Sequence, residues 1–143
     1  MKLVKHTFKE SEGTLEIIDD EVIEKKKETT LCFSLPMSAL GLFEEEYGKP
    51  LVDVIINNTR GRTKGDELDS IEFSRALASS MYLKIENGKV TNDDASKEEF
   101  KNMELFKSVA SDLPLRIALV NCAIECLNDE NTPATKGGSK SKK

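Results

Sequence analysis

At Pro36 the spacing of apolar residues changes from two to between three and four. A chain that switches period once places a sheet and a helical layer against one core. Before Pro36, Leu31, Phe33 and Leu35 alternate with Cys32 and Ser34, and Leu15 and Ile17 flank Glu16, which is the pattern of half-buried strands. Leu3, Val4 and Phe8 repeat it more weakly. Ser11-Glu12-Gly13 and Lys25-Lys26-Lys27-Glu28 read as turns between three strands, or four if Glu21 to Lys25 pairs separately. Such short polar connections favour an antiparallel meander.

After Pro36, Met37, Leu40, Phe43 and Tyr47 fall on one helical face. Gly48 stands where a left-handed cap ends a helix, and Pro50 suits the first turn of a second helix containing Leu51, Val54 and Ile55. Asn57 to Gly65 is a loop by composition, and a longer helix is expected from Asp66 to Tyr82 or Lys84. Glu86-Asn87-Gly88-Lys89 either joins two short strands through a two-residue turn or closes that helix. Ser96-Lys97-Glu98-Glu99 matches a capping box, followed by a stripe of Phe100, Met103, Phe106 and Ala110. Ten of the thirteen residues from Leu115 to Leu127 are apolar, so the last helix, Pro114 to Leu127, is expected at the centre of the core or in a subunit interface.

The expected fold is therefore α+β and mostly helical, with about five helices and a small N-terminal antiparallel sheet. Residues 1–128 form one domain, β-rich over 1–35 and helical over 36–128. Residues 129–143 contain no large apolar side chain and are rich in Lys, Gly and Ser, so they read as a disordered tail.

Charge and length narrow the function. Lys and Arg number 21 against 26 Asp and Glu, a formal net charge of −5. The tail carries four Lys against Asp129 and Glu130, which leaves −7 on residues 1 to 128. An acidic body disfavours binding to phosphate backbones and to anionic membranes. No apolar run reaches the ~20 residues of a spanning helix, and Met1 to Glu10 has no signal-peptide core. Three cysteines without disulfide spacing suit a reducing compartment. A soluble intracellular protein is expected.

Cys122 and Cys126 share a helix face and could supply half of a zinc site, with Cys32, His6 or a carboxylate completing it. There is no Cys-x-x-Cys pair, and packing explains buried thiols. His6, the sole histidine, has no Gly-x-Ser-x-Gly elbow to serve. Arg60-Gly61-Arg62-Thr63-Lys64-Gly65 resembles a phosphate loop only in composition and lacks the Gly-Lys-Ser/Thr ending. It reads as a solvated loop, and Arg60, Arg62 and Lys64 as candidate contacts to an acidic protein surface. Glu44, Glu45 and Glu46 point about 100° apart and read as a solvated face. No catalytic residue, metal or cofactor is expected, and the chain is not expected to be an enzyme.

The segment Met37-Ser38-Ala39-Leu40-Gly41-Leu42-Phe43-Glu44-Glu45-Glu46-Tyr47-Gly48-Lys49-Pro50-Leu51-Val52-Asp53-Val54-Ile55 resembles the tail assembly chaperones of long-tailed (siphovirus-type) bacteriophages and prophages. Their strand-rich start is followed by a helix ending in Phe/Leu-Glu-Glu-x-x-Gly-Lys-x-Leu, and then by a helix that corresponds to Ile71 to Tyr82. The resemblance implies a non-enzymatic protein of the bacterial host cytoplasm. It would coat the tape measure protein, recruit tail tube subunits, and be absent from the mature virion. In many members of that class a programmed frameshift yields an extended product, and Lys142-Lys143 is a pair that an A-rich slippery heptamer can encode. Leu42, Phe73, Met81 and Tyr82 on the broad-faced helices are the candidate partner contacts, and self-association is an open question. The rival readings are a structural tail-completion or connector subunit, and a phage regulator that binds nucleic acid through Arg60, Arg62, Lys64 and the Lys-rich tail.

Overall fold

The computed structural model describes residues 2–59 and 67–131. Two long strands, β1 (Val4–Ile18) and β2 (Glu21–Phe33), form an antiparallel hairpin. The helices α1 (Met37–Tyr47) and α2 (Leu51–Thr59) follow, and a 3₁₀ turn at Glu67–Asp69 leads into α3 (Ile71–Met81). A second hairpin, β3 (Tyr82–Glu86) and β4 (Lys89–Thr91), is followed by α4 (Asp94–Lys101), a 3₁₀ segment Glu104–Ser111 and α5 (Leu113–Asn131). The strands join in one antiparallel sheet of order β1-β2-β3-β4. The expected α+β class and N-terminal sheet are present, with β3 and β4 added at its edge.

The first 35 residues hold two strands rather than three or four, because the local turn signals serve other purposes. The chain reverses at Asp19 and Asp20, with φ of 50° and 65°, the left-handed pair that a two-residue hairpin turn requires. Asp tolerates that region through its short polar side chain. Gly13, at φ 78°, sits in a bulge where the register slips between Ser11 and Leu15. Lys25 to Glu28 continue β2 as a solvated strand, with Lys25 Nζ 2.8 Å from Glu16 Oε1.

Only the base of this hairpin is covered. Val4 and Phe8 of β1 and Phe33 of β2 face the core, where Phe33 meets Phe8, Tyr82 and Phe100. Tyr82 stacks on Phe100 with ring centroids 4.8 Å apart. A second aromatic group joins Phe43 and Tyr47 of α1 to Phe73 of α3.

Local chemistry sets the helix ends. Gly48 has φ 88° and donates its N–H to the Glu44 carbonyl, closing α1 as expected, and Pro50 accepts the first bonds of α2. Ser70 caps α3 by accepting from the Phe73 N–H, which starts that helix at Ile71 rather than at Asp66. Asn87 and Gly88 both have positive φ and join β3 to β4. The capping box lies three residues earlier than expected: Asp93 is the cap and Ser96 its reciprocal partner. α4 ends at Lys101, so Phe100 belongs to α4, Phe106 and Ala110 to the 3₁₀ segment, and Met103 to the break between them, rather than all four to one helix.

The centre of the core is α3, where every residue from Ala76 to Met81 is buried, as is Tyr82 at the start of β3. α5 lies on its flank, burying Leu115, Leu119, Cys122, Ala123 and Leu127 while Leu113 and Ile117 stay exposed. Met37, expected on the buried face of α1, is exposed, and Leu42 takes its place inside. Residues 132–143 of the tail, and the loop residues Arg60 to Asp66, lie outside the described residues.

Candidate functional site

Four of the sequence-derived contact candidates are core residues. Phe73 packs between Phe43 and Tyr47, Tyr82 stacks on Phe100, and Leu42 and Met81 are buried. The breadth of the apolar helical faces reflects core on several sides of α1 and α3, so these side chains are closed to a partner in the folded chain. Arg60, Arg62 and Lys64 lie outside the described residues.

The thiols and the histidine are engaged structurally. Cys122 and Cys126 are buried on α5, and burial, reinforced by the neighbouring Cys126, pushes the Cys122 thiol up and disfavours its thiolate. His6 Nε2 lies 2.7 Å from Asp112 Oδ2, and Asp112 Oδ1 accepts the Leu115 N–H at the start of α5. This pair ties β1 to the head of the last helix. Among the described residues, no three His, Cys, Asp or Glu side chains converge as metal ligands.

Glu46 is an ion-pair hub. Its carboxylate lies 3.2 Å from Lys97 Nζ and 3.0 Å from Lys101 Nζ, linking α1 to α4. The Lys101 hydrogen bond holds its carboxyl below the usual range against the opposing effect of burial, and the Lys97 bond adds to the lowering. Reading all three glutamates as a solvated face missed this, because the lysine partner is 51 residues away in sequence.

What the body leaves uncovered is the far half of the first hairpin. Every β2 residue from Glu21 to Glu28 is exposed, roughly 25 Å of ladder at ~3.3 Å per residue. At its end Leu15, Ile17 and Val22 are 65%, 77% and 67% exposed, and Ile18 and Ile23 are also exposed. The register pairs Ile17 with Val22 and Leu15 with Glu24, so Leu15, Ile17 and Val22 share one face. Ile18 and Ile23 lie on the other, since Glu16 pairs with Ile23 and Ile18 with Glu21. Among the described residues, nothing buries the five aliphatic side chains of this two-stranded ribbon. The sequence signal was Leu-Glu-Ile-Ile-Asp-Asp-Glu-Val-Ile-Glu, which reads as ordinary strand until the covering layer is seen to stop short of it.

A smaller apolar surface lies on α5. Leu68, Leu113, Ile117 and Val120 line a shallow cleft of about 180 Å³ beside Arg116. Arg116 donates to the carbonyls of Asp69 and Ala110, which fixes the wall of the cleft.

The chain matches no protein-family model, no curated protein and no solved structure. Among the described residues, no helix is long and apolar enough to cross a membrane.

Proposed function

We propose that this chain is a non-enzymatic assembly chaperone for the tail of a long-tailed bacteriophage or prophage. It binds the tape measure protein in the host cytoplasm, recruits tail tube subunits, and is left out of the finished particle. The observation that carries this reading is the uncovered hairpin end, with five aliphatic side chains displayed on a narrow ribbon. Monomeric soluble proteins seldom expose such a group without a partner for it. The Met37 to Ile55 segment, with its resemblance to tail assembly chaperones, supplies the class of partner. A formal charge of −5 suits repeated copies on one long polymer, since mutual repulsion keeps the loaded assembly soluble.

The test is a tagged pull-down from cells producing tails, with mass spectrometry of everything retained. Recovery of a very long helical protein together with the tube subunit is the expected result. Recovery of nucleic acid, or of finished virions that carry the chain, would overturn it in favour of a regulator or a structural subunit.

A further inference from the structure

We infer that the hairpin end is a docking surface for a basic amphipathic helix, seated on the face formed by Leu15, Ile17 and Val22. This deepens the assembly reading by naming the chemistry of the partner at that surface.

The argument begins with charge. From Leu15 to Glu24 the chain carries five aliphatic residues and five acids (Glu16, Asp19, Asp20, Glu21 and Glu24), with no basic residue among them. Lys25 pairs with Glu16 at 2.8 Å and Lys26 stands beside Glu24 on the same face, so Asp19, Asp20 and Glu21 at the turn set the local field. An apolar patch rimmed by acids is complementary to an apolar stripe rimmed by Lys or Arg, and it repels acidic partners and nucleic acid.

Geometry selects the form of the occupant. Alternate residues on a strand stand about 7 Å apart, and directly opposed residues about 5 Å apart. Leu15, Ile17 and Val22 therefore make a small raised patch whose spacing matches the grooves between helical side chains at i and i+3 or i+4. An added strand would pair with the ladder's edges and leave these faces uncovered.

Two occupants drawn from this chain's own sequence, its tail and a second copy, are disfavoured. The Lys-rich segment after Asn131 has the right charge but no large apolar side chain to cover the patch. A second hairpin end would bring five more acids against these five.

The test uses the full chain and three labelled peptides of roughly 20 residues, long enough for a stable helix to span the patch. One has a Leu stripe flanked by Lys, one the same stripe flanked by Glu, and one the Lys flanks with Ser replacing Leu. Binding is read by fluorescence anisotropy at low and high salt. The Leu/Lys peptide should bind about tenfold or more tighter than either control. Ile17→Thr with Val22→Thr keeps strand propensity and should weaken that binding about tenfold with an unchanged melting temperature. Asp19→Asn with Asp20→Asn keeps residues that tolerate the left-handed turn and should narrow the preference for Lys over Glu. Equal binding of the Lys and Glu peptides, or undiminished binding by the Thr variant, would overturn the inference.

The pull-down described above, repeated with the Thr variant, separates this inference from the assembly reading. Loss of the long helical protein only in the variant supports both. Its retention by wild type and variant alike overturns the hairpin site and leaves the chaperone reading standing. Its absence from both, with peptide binding intact, overturns the chaperone reading alone.

Discussion

Replacing Glu46 by Gln tests whether a single carboxylate clamps α1 to α4. The Lys97 side chain is 6% exposed, and Glu46 Oε1 lies 3.2 Å from its ammonium. Breaking a fully buried pair from one side costs about 3–5 kcal/mol, because the remaining charge stays desolvated. Glu46 retains 30% of its side-chain exposure, and the amide of Gln still offers an oxygen to Lys97. Solvent screening therefore reduces the expected loss to about 2 kcal/mol. For a domain of this size that lowers the melting temperature by roughly 6 °C at neutral pH. Because the folded state holds the Glu46 carboxyl below its ordinary value of 4.5, its contribution is complete above that pH and fades as pH falls through the folded value. The difference between wild type and Glu46→Gln should therefore shrink in acid. Adding Lys97→Met to Glu46→Gln should restore part of the loss, since a neutral side chain of similar volume carries no desolvation penalty. Differential scanning calorimetry of the single and double variants at neutral and acidic pH measures all of this. A Glu46→Gln chain that melts with wild type at neutral pH, or a double variant that melts no higher than Glu46→Gln, would refute the clamp.

Other positions give independent outcomes. Asp112→Ala removes both the contact to His6 and the cap on the Leu115 N–H, and should cost about 1–2 kcal/mol in urea unfolding. Gly48→Ala meets no steric obstacle but forces a side chain to φ 88°, and should cost about 1 kcal/mol by the same assay. Burial first, and then the hydrogen bond to Glu67, pushes the Tyr47 hydroxyl up to about 12, while burial raises Tyr82. Tyrosinate absorbance should accordingly lag free tyrosine above pH 10 until the chain unfolds, then jump. Of the three thiols, half-buried Cys32 should react first with a disulfide reagent, with Cys122 and Cys126 reacting only on unfolding.

Much of the architecture was legible because short-range chemistry specifies it. The change of period at Pro36, the Gly48 to Pro50 break and the Asn87-Gly88 turn each depend on a few neighbouring residues, and the structure places a boundary at each. The α+β class follows from those boundaries. Signals with more than one use were harder to assign. Gly13 serves a bulge as readily as a turn, and Ser96 serves as the third helical residue of a box as readily as its cap. Phe100 to Ala110 kept a helical period across a break at Asn102 and Met103, because a 3₁₀ segment presents similar spacing over so few turns.

The amino-acid sequence by itself determined where strands give way to helices, that α1 stops at Gly48, and that an acidic body carries a basic tail. Only the tertiary structure decided which apolar residues have neighbours. Leu42, Phe73, Met81 and Tyr82 went inside, while Met37 and the aliphatic residues of the hairpin end stayed out. It also paired Glu46 with Lys97 and His6 with Asp112. The reason is that backbone conformation depends on a few adjacent residues, whereas burial depends on what the rest of the chain brings alongside. An alternating strand reads the same whether its apolar face is covered or bare.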